Sequence, residues 1–165
     1  MSTSTSSLSA TRAAKPVPAG HHTVTPFLVV DGAADALAFY ARAFGAVEQA
    51  RIVAPDGKIL YAATKIGDSI VMLNDEFPQM QAIGPKKRGG TAVTMHLFVE
   101  NADAAFAQAA AAGAQIVMPL QNMFWGDRYG LVVDPFGHAW SIAMRLQDLT
   151  PAELQQAADA ACAGQ

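Results

Sequence analysis

The chain has 165 residues, 52% hydrophobic and 15% charged, with 11 Lys and Arg against 14 Asp and Glu for a net charge of −3. This composition suits a folded domain and excludes a disordered chain, and so sparse and acidic a charge set lacks the basic footprint that dominates nucleic-acid affinity. No stretch reaches the roughly 20 apolar residues of a membrane-spanning helix, and a lone cysteine, Cys162, leaves no internal disulfide or cysteine-based zinc site; a cytoplasmic setting without nucleic-acid or membrane partners is expected.

Residues 1–22 are rich in Ser, Thr and Ala, carry no acid and lack the apolar core of a secretory signal, so they are read as a disordered tail. An alternating run predicts a strand at 24–30, and apolar residues at helical spacing predict a helix at 33–43, with Asp31 as cap and Gly45 as left-handed terminator. Strands follow at 46–53, 58–66 and 69–74. The segment 76–90 reads as a linker, with Lys86, Lys87 and Arg88 a solvated basic cluster between Gly-Pro and Gly-Gly. Asp75 and Glu76, adjacent at a strand end, point to opposite faces and are read as solvated acids. A strand at 92–99, a helix at 101–112 capped by Asn101 and ended by Gly113, and strands at 115–119, 128–133 and 138–144 complete the second half. A last helix opens at "TPAE", where Thr150, Pro151 and Glu153 make a capping box, and runs through Ala160 outside the main sheet.

The two halves repeat. "TVTPFLVVDGAADALAFYARAFGAVEQ" (23–49) is echoed by "AVTMHLFVENADAAFAQAAAAGAQIV" (92–117): Val24, Leu28, Val30 and Asp31 correspond to Val93, Leu97, Val99 and Glu100 at a spacing of 69. The strand pairs "KILYAATKIGDSIVML" and "DRYGLVVDPFGHAWSIA" extend the match. The expected organisation is an α+β fold of two βαβββ modules, at 23–75 and 91–146, followed by a C-terminal helix in 147–165.

With "PDGKI", "IGDSIVMLND", "GGT", "FWGDR" and "DPFGHAW", this duplicated unit resembles the vicinal oxygen chelate superfamily (glyoxalase, bleomycin resistance, dioxygenase), in particular its PhnB-like branch. The resemblance implies two modules whose sheets curve into one cup, a homodimer with the alanine-rich helices as possible contacts, and a small molecule held in the cup. In metal-dependent members, first-strand and last-strand residues of each module hold a divalent ion; those slots map to Thr25, Met72, Thr94 and Ser141. Hydroxyls and a thioether are poor ligands for such an ion, so no cofactor is expected and a divalent metal is disfavoured.

If Thr25 and Thr94 face the cup, strand parity sends Phe27, His96 and Phe98 the same way, and Trp125 and Tyr129 join its lining. These are the expected ligand-binding residues, with Trp125 either lining the cup or plugging its base. Arg128 has two readings: its planar fork takes a carboxylate, phosphate or carbonyl of the ligand, or it pairs locally with Asp127 or a neighbour. His96 is the candidate catalytic residue, since an imidazole takes and releases protons near neutral pH. His138 is read as bonding its turn, and Phe136 and Trp140 as core. The expected function is metal-independent binding of an apolar or aromatic small molecule. The alternative is a glyoxalase-like lyase or isomerase, or a dioxygenase-like enzyme, either metal-dependent with substituted ligands or metal-free with His96 as base.

Overall fold

Alternation of apolar and polar residues builds two copies of one unit. A computed structural model describes residues 15–163; positions 1–14, and with them most of the expected tail, lie outside the described residues, as do 164–165. Module one comprises β1 (Phe27–Val30), α1 (Ala33–Phe44), β2 (Val47–Val53), β3 (Ile59–Ile66) and β4 (Ser69–Asp75). A 3-10 turn (Pro78–Met80) and a short helix α2 (Pro85–Arg88) link it to module two, which comprises β5 (Thr94–Phe98), α3 (Ala102–Ala112), β6 (Gln115–Asn122), β7 (Asp127–Val133) and β8 (Ala139–Arg145). A final helix, α4 (Pro151–Ala163), buries none of its residues. The sheets run β1-β4-β3-β2 and β5-β8-β7-β6, with the first and last strand of each module parallel.

Each sheet buries one face. Leu28, Val30, Val71 and Leu73 of module one, and Val132, Trp140 and Ile142 of module two, join Phe39, Tyr40, Phe106 and Ala109 of the helices in a single core. Each fully buried Leu, Ile or Phe contributes about 1.5–3 kcal/mol. Helix ends follow local chemistry: Gly45 and Gly113 close α1 and α3 with φ of 65° and 115°, and Asn101 accepts from the Ala104 N–H at 3.0 Å. Thr150 and Glu153 cap each other reciprocally as expected.

Three expectations fail locally. The cap of α1 is Gly32, not Asp31; Asp75 reaches across from β4, and its Oδ1 accepts from the N–H groups of Gly32 and Ala33 at 3.1 and 2.7 Å while its Oδ2 accepts from Ile59. Glu76 is buried rather than solvated, because its carboxylate takes the Gly84 N–H at 2.9 Å and the Lys87 ammonium. The Lys87 contact, reinforced by Gly84, lowers the Glu76 pKa. Lys86, Lys87 and Arg88 are exposed as expected, but they form a helical turn rather than a loop, with Arg88 donating to the carbonyls of Ile83 and Gln81. Adjacent strand residues still point to opposite faces, but unpaired backbone donors on both sides recruit them.

The modules meet through α1 on α3 and through the β7–β8 turn. Asp134, buried in that turn, accepts from the Tyr40 hydroxyl of module one at 2.8 Å and from the Trp140 indole at 2.9 Å. His138 Nε2 donates to the Val29 carbonyl at 3.1 Å, so its ring bonds the other module, and only its backbone N–H bonds its own turn, at Asp134. Burial raises the Tyr40 pKa well above its usual value, and Asp134 adds to the shift. An unfolded tyrosine ionises near pH 10, so this group's contribution is complete below that pH and is lost as pH rises toward the folded value. Urea midpoints should therefore fall between about pH 9 and about pH 11 in wild type and fall less in Tyr40→Phe; equal falls would remove Tyr40 as the cause.

No strand of one sheet pairs with the other, and the aromatic contacts on each open face stay within that sheet among the described residues. Phe27 is 52% exposed and Phe98 62%. A single chain therefore presents two open sheet faces. Of the helices, Leu37, Phe39 and Phe106 are buried in the intramolecular core, whereas most of α3 and all of α4 stay outside it.

Candidate functional site

Lateral register decides which open-face residues stand level. Phe27 lies beside Met72, and His96 lies beside Ser141. Both pairs keep the repeat spacing of 69. Thr94 is level with Ala139, and Thr25 precedes β1, with its hydroxyl donating to the His22 carbonyl at 3.0 Å. The four level positions are thus Phe27, Met72, His96 and Ser141, and not the set with Thr25 and Thr94. A slip of two keeps the face and changes the level, which parity cannot detect. One imidazole, one hydroxyl, a thioether and a phenyl ring do not fit the divalent ion that the resemblance implies. No group of three or more His, Cys, Asp and Glu converges among the described residues.

What module two does build is a run of rings. Alternation along β5 puts His96 and Phe98 on one face, with ring centroids 4.4 Å apart at 75°. Tyr129, opposite Ala143 of β8, lies nearly parallel to the imidazole at 6.0 Å and 20°. Trp125 meets Tyr129 edge-on at 5.5 Å, and Phe124 meets Trp125 at 5.0 Å. Trp125 therefore extends the aromatic face rather than plugging a base. Ser141, buried, brings its Oγ within 2.7 Å of His96 Nδ1 and fixes the ring. Nε2 has no protein partner among the described residues, which turns a lone histidine into an oriented group available to a ligand.

Module one repeats the pattern with different chemistry. Phe27 meets Tyr61 at 6.3 Å and 82°, with Met72 beside it. Ala62 pairs with Leu73, so Tyr61 stands opposite Asn74, as Tyr129 stands opposite Ala143. Sequence reading missed Tyr61, because a one-residue difference in the hairpin makes the Tyr61–Tyr129 spacing 68 rather than 69.

Arg128 is not on this face. It shares strand parity with Gly130 and Val132, which lie against α3, and its fork is taken by Asp103 at 2.7 and 2.6 Å and by Asn122 at 3.0 Å. The bidentate Asp103 contact raises the Arg128 pKa. Of the two readings, the ion pair holds, but its partner is Asp103 on α3 and not Asp127 or a residue of the turn. Asp127 is buried against Arg145, whose guanidinium also lies 6.0 Å from the Phe98 ring centroid.

A cavity of about 760 Å³ opens at the free edge of β5 and reaches His96 and Phe98, with Phe44, Ile70, Leu97 and Trp140 among its walls. That volume lies within the range of small-molecule pockets. The repeat explains the space: Ser69 lines this cavity, whereas 69 residues later His138 fills the corresponding joint with its ring.

Comparison with known proteins agrees with the geometry. A family model described as "Glyoxalase/Bleomycin resistance protein/Dioxygenase superfamily" matches residues 20–142. An uncharacterised protein of Mycobacterium bovis is 48% identical over 137 residues, covering 81% of this chain and 90% of that protein. The crystal structure of an Arabidopsis thaliana gene product superposes with a TM-score of 0.61 at 30% identity, over 74% of this chain and 98% of its own. A PhnB protein from Bacillus cereus shares the fold, with a TM-score of 0.58 at 19% identity over 74% of this chain and 99% of its own. With its two βαβββ modules, the chain belongs to the glyoxalase/bleomycin resistance protein/dioxygenase superfamily.

Proposed function

We propose that this protein binds an apolar or aromatic small molecule without a metal ion, against the ring face of module two, and that a second copy of the chain closes the site. The observation that carries this reading is the half-exposed run Phe98, His96, Tyr129, Trp125 and Phe124, anchored by the Ser141 contact. Flat rings supply large contact area and favour edge or offset stacking with an aromatic guest, worth about 0.5–1.5 kcal/mol beyond area burial. Exposed Phe27, Ile52 and Val47 on module one, and Phe98 on module two, are apolar surface of the kind a homodimer covers.

Calorimetric screening of aromatic compounds in chelator-containing buffer tests the reading. Saturable binding is expected, and Tyr129→Ala should weaken it at least about tenfold through lost stacking and lost area. Binding that appears only on adding a divalent ion, or that ignores Tyr129→Ala, contradicts it.

One observation favours a second reading, catalysis with His96 as base: the ring is oriented through Nδ1 and free at Nε2. In that case His96→Gln abolishes turnover of the bound compound while its affinity stays within a few-fold; loss of affinity alone returns His96 to the binding role.

A further inference from the structure

We infer that the free edge of β5 is a second binding site, which takes a short extended peptide as an added strand in the joint between the modules. This site lies beside the ring face and does not depend on the binding proposed there. In a parallel ladder the N–H and C=O groups of alternate residues turn to the same side. The Val99 N–H bonds the Ala143 carbonyl of β8, so Met95 and Leu97 also face β8, and the main-chain groups of His96 and Phe98 face the opposite, unpaired edge. Two donors and two acceptors therefore stand in a row with a repeat of about 6.6–6.8 Å.

Module one covers the same edge. The Val29 carbonyl, counterpart of the Phe98 carbonyl at the spacing of 69, accepts from the His138 ring and is crowded by Gly84. In module two the counterpart of His138 is Ser69, whose hydroxyl turns to Asp68, and no described residue bonds the main chain of His96 or Phe98 on that side. Leu28 and Val30 are accordingly buried, whereas Leu97 and Val99 are only half-buried. The outer edges are blunted by other means: β2 carries Glu48, Arg51 and two irregularities of register, and β6 carries Pro119 and two more. The β5 sequence, Thr-Met-His-Leu-Phe, has no such device.

The space against this edge matches a strand. The cavity of about 760 Å³ runs along β5 from Met95 to Val99, with the β3–β4 turn across from it. Phe44, Ile70 and Trp140 make its inner side apolar, and the His96 and Phe98 rings form its outer side, so successive side chains of an added strand find a pocket on one side and rings on the other. A purely apolar guest would leave the four main-chain groups without partners, whereas a peptide pairs them and fills the apolar side as well. Asp68 is the one formally charged side chain in the lining, so a peptide of positive rather than negative charge is the complement.

The probe is Thr-Leu-Thr-Leu-Thr amide with a free amino terminus, compared with derivatives N-methylated at its second and fourth residues or at its third and fifth. Affinity is measured by calorimetry, and exchange of the His96 and Phe98 N–H groups by NMR. Saturable binding is expected to slow both exchanges at least about tenfold, and one methylation pattern but not the other should abolish it, because only alternate N–H groups of an added strand face β5. Ser69→His, which gives module two the plug that His138 gives module one, should weaken binding at least about tenfold without lowering the thermal midpoint. Absence of saturable binding, equal effects of the two methylation patterns, or full affinity in Ser69→His overturns the inference. Slow exchange of both N–H groups before peptide is added also overturns it, by assigning the edge to a second copy or to another segment of this chain.

Discussion

Asp134→Ala is expected to lower the unfolding free energy by about 3–5 kcal/mol, the range for removing one partner of a buried charged network. The carboxylate is buried and accepts four hydrogen bonds, from the Tyr40 hydroxyl at 2.8 Å and from Trp140 Nε1 and the N–H groups of Phe136 and His138 at 2.9 Å each. Alanine leaves those donors without a partner, in a core whose rings pack too closely to admit water to all of them. Tyr40 and Phe44 lie against Trp140 at 5.3 and 4.6 Å, so the same change loosens the joint between modules. Tyr40→Phe deletes only one of the four bonds and should cost about 1 kcal/mol. Urea unfolding followed by tryptophan fluorescence measures both. A loss under about 1 kcal/mol for Asp134→Ala would mean that the donors find other acceptors.

Gly126→Ala should cost about 3 kcal/mol, from two separate sources. Gly126 has φ of 90°, where an L side chain is strained, and a Cβ there would overlap the Gln147 carbonyl oxygen. The turn and the strap must then separate. That contact matters because the Gly126 carbonyl accepts from the N–H groups of Leu146 and Gln147, tying the segment after β8 over the "FWG" turn. Trp125, the adjacent residue, should lose its edge-on contact with Tyr129, so near-ultraviolet dichroism should weaken along with stability. Gly57→Ala is the control: φ is 87°, but nothing lies within 4 Å of the added carbon. Conformational strain alone applies there, about 1–2 kcal/mol. Equal losses at the two positions would show that the Gln147 overlap is relieved at no cost.

Much of the fold was legible because the signals are local or repeated. Alternation, left-handed glycines at 45 and 113 and the Asn101 cap each act within a few residues, and the spacing of 69 carries one module onto the other. Asp31 misled for the complementary reason: the N-terminus of α1 is served by Asp75, 43 residues from Gly32 along the chain, and no local pattern reports that bond. Arg128 shows the same limit, since its partner Asp103 lies 25 residues away on α3. On the open faces, parity gave the side of the sheet but not the level along it. Thr25 and Thr94 therefore stood where register puts Phe27 and His96.

The most direct test of the central claim is a heteronuclear NMR map of the protein, recorded in chelator with and without a mixture of small aromatic compounds. The account expects shifts at His96, Phe98, Tyr129 and Trp125, centred on the imidazole, in the absence of any divalent ion. Shifts confined to other surfaces, or shifts at these residues that require an added metal, would contradict it.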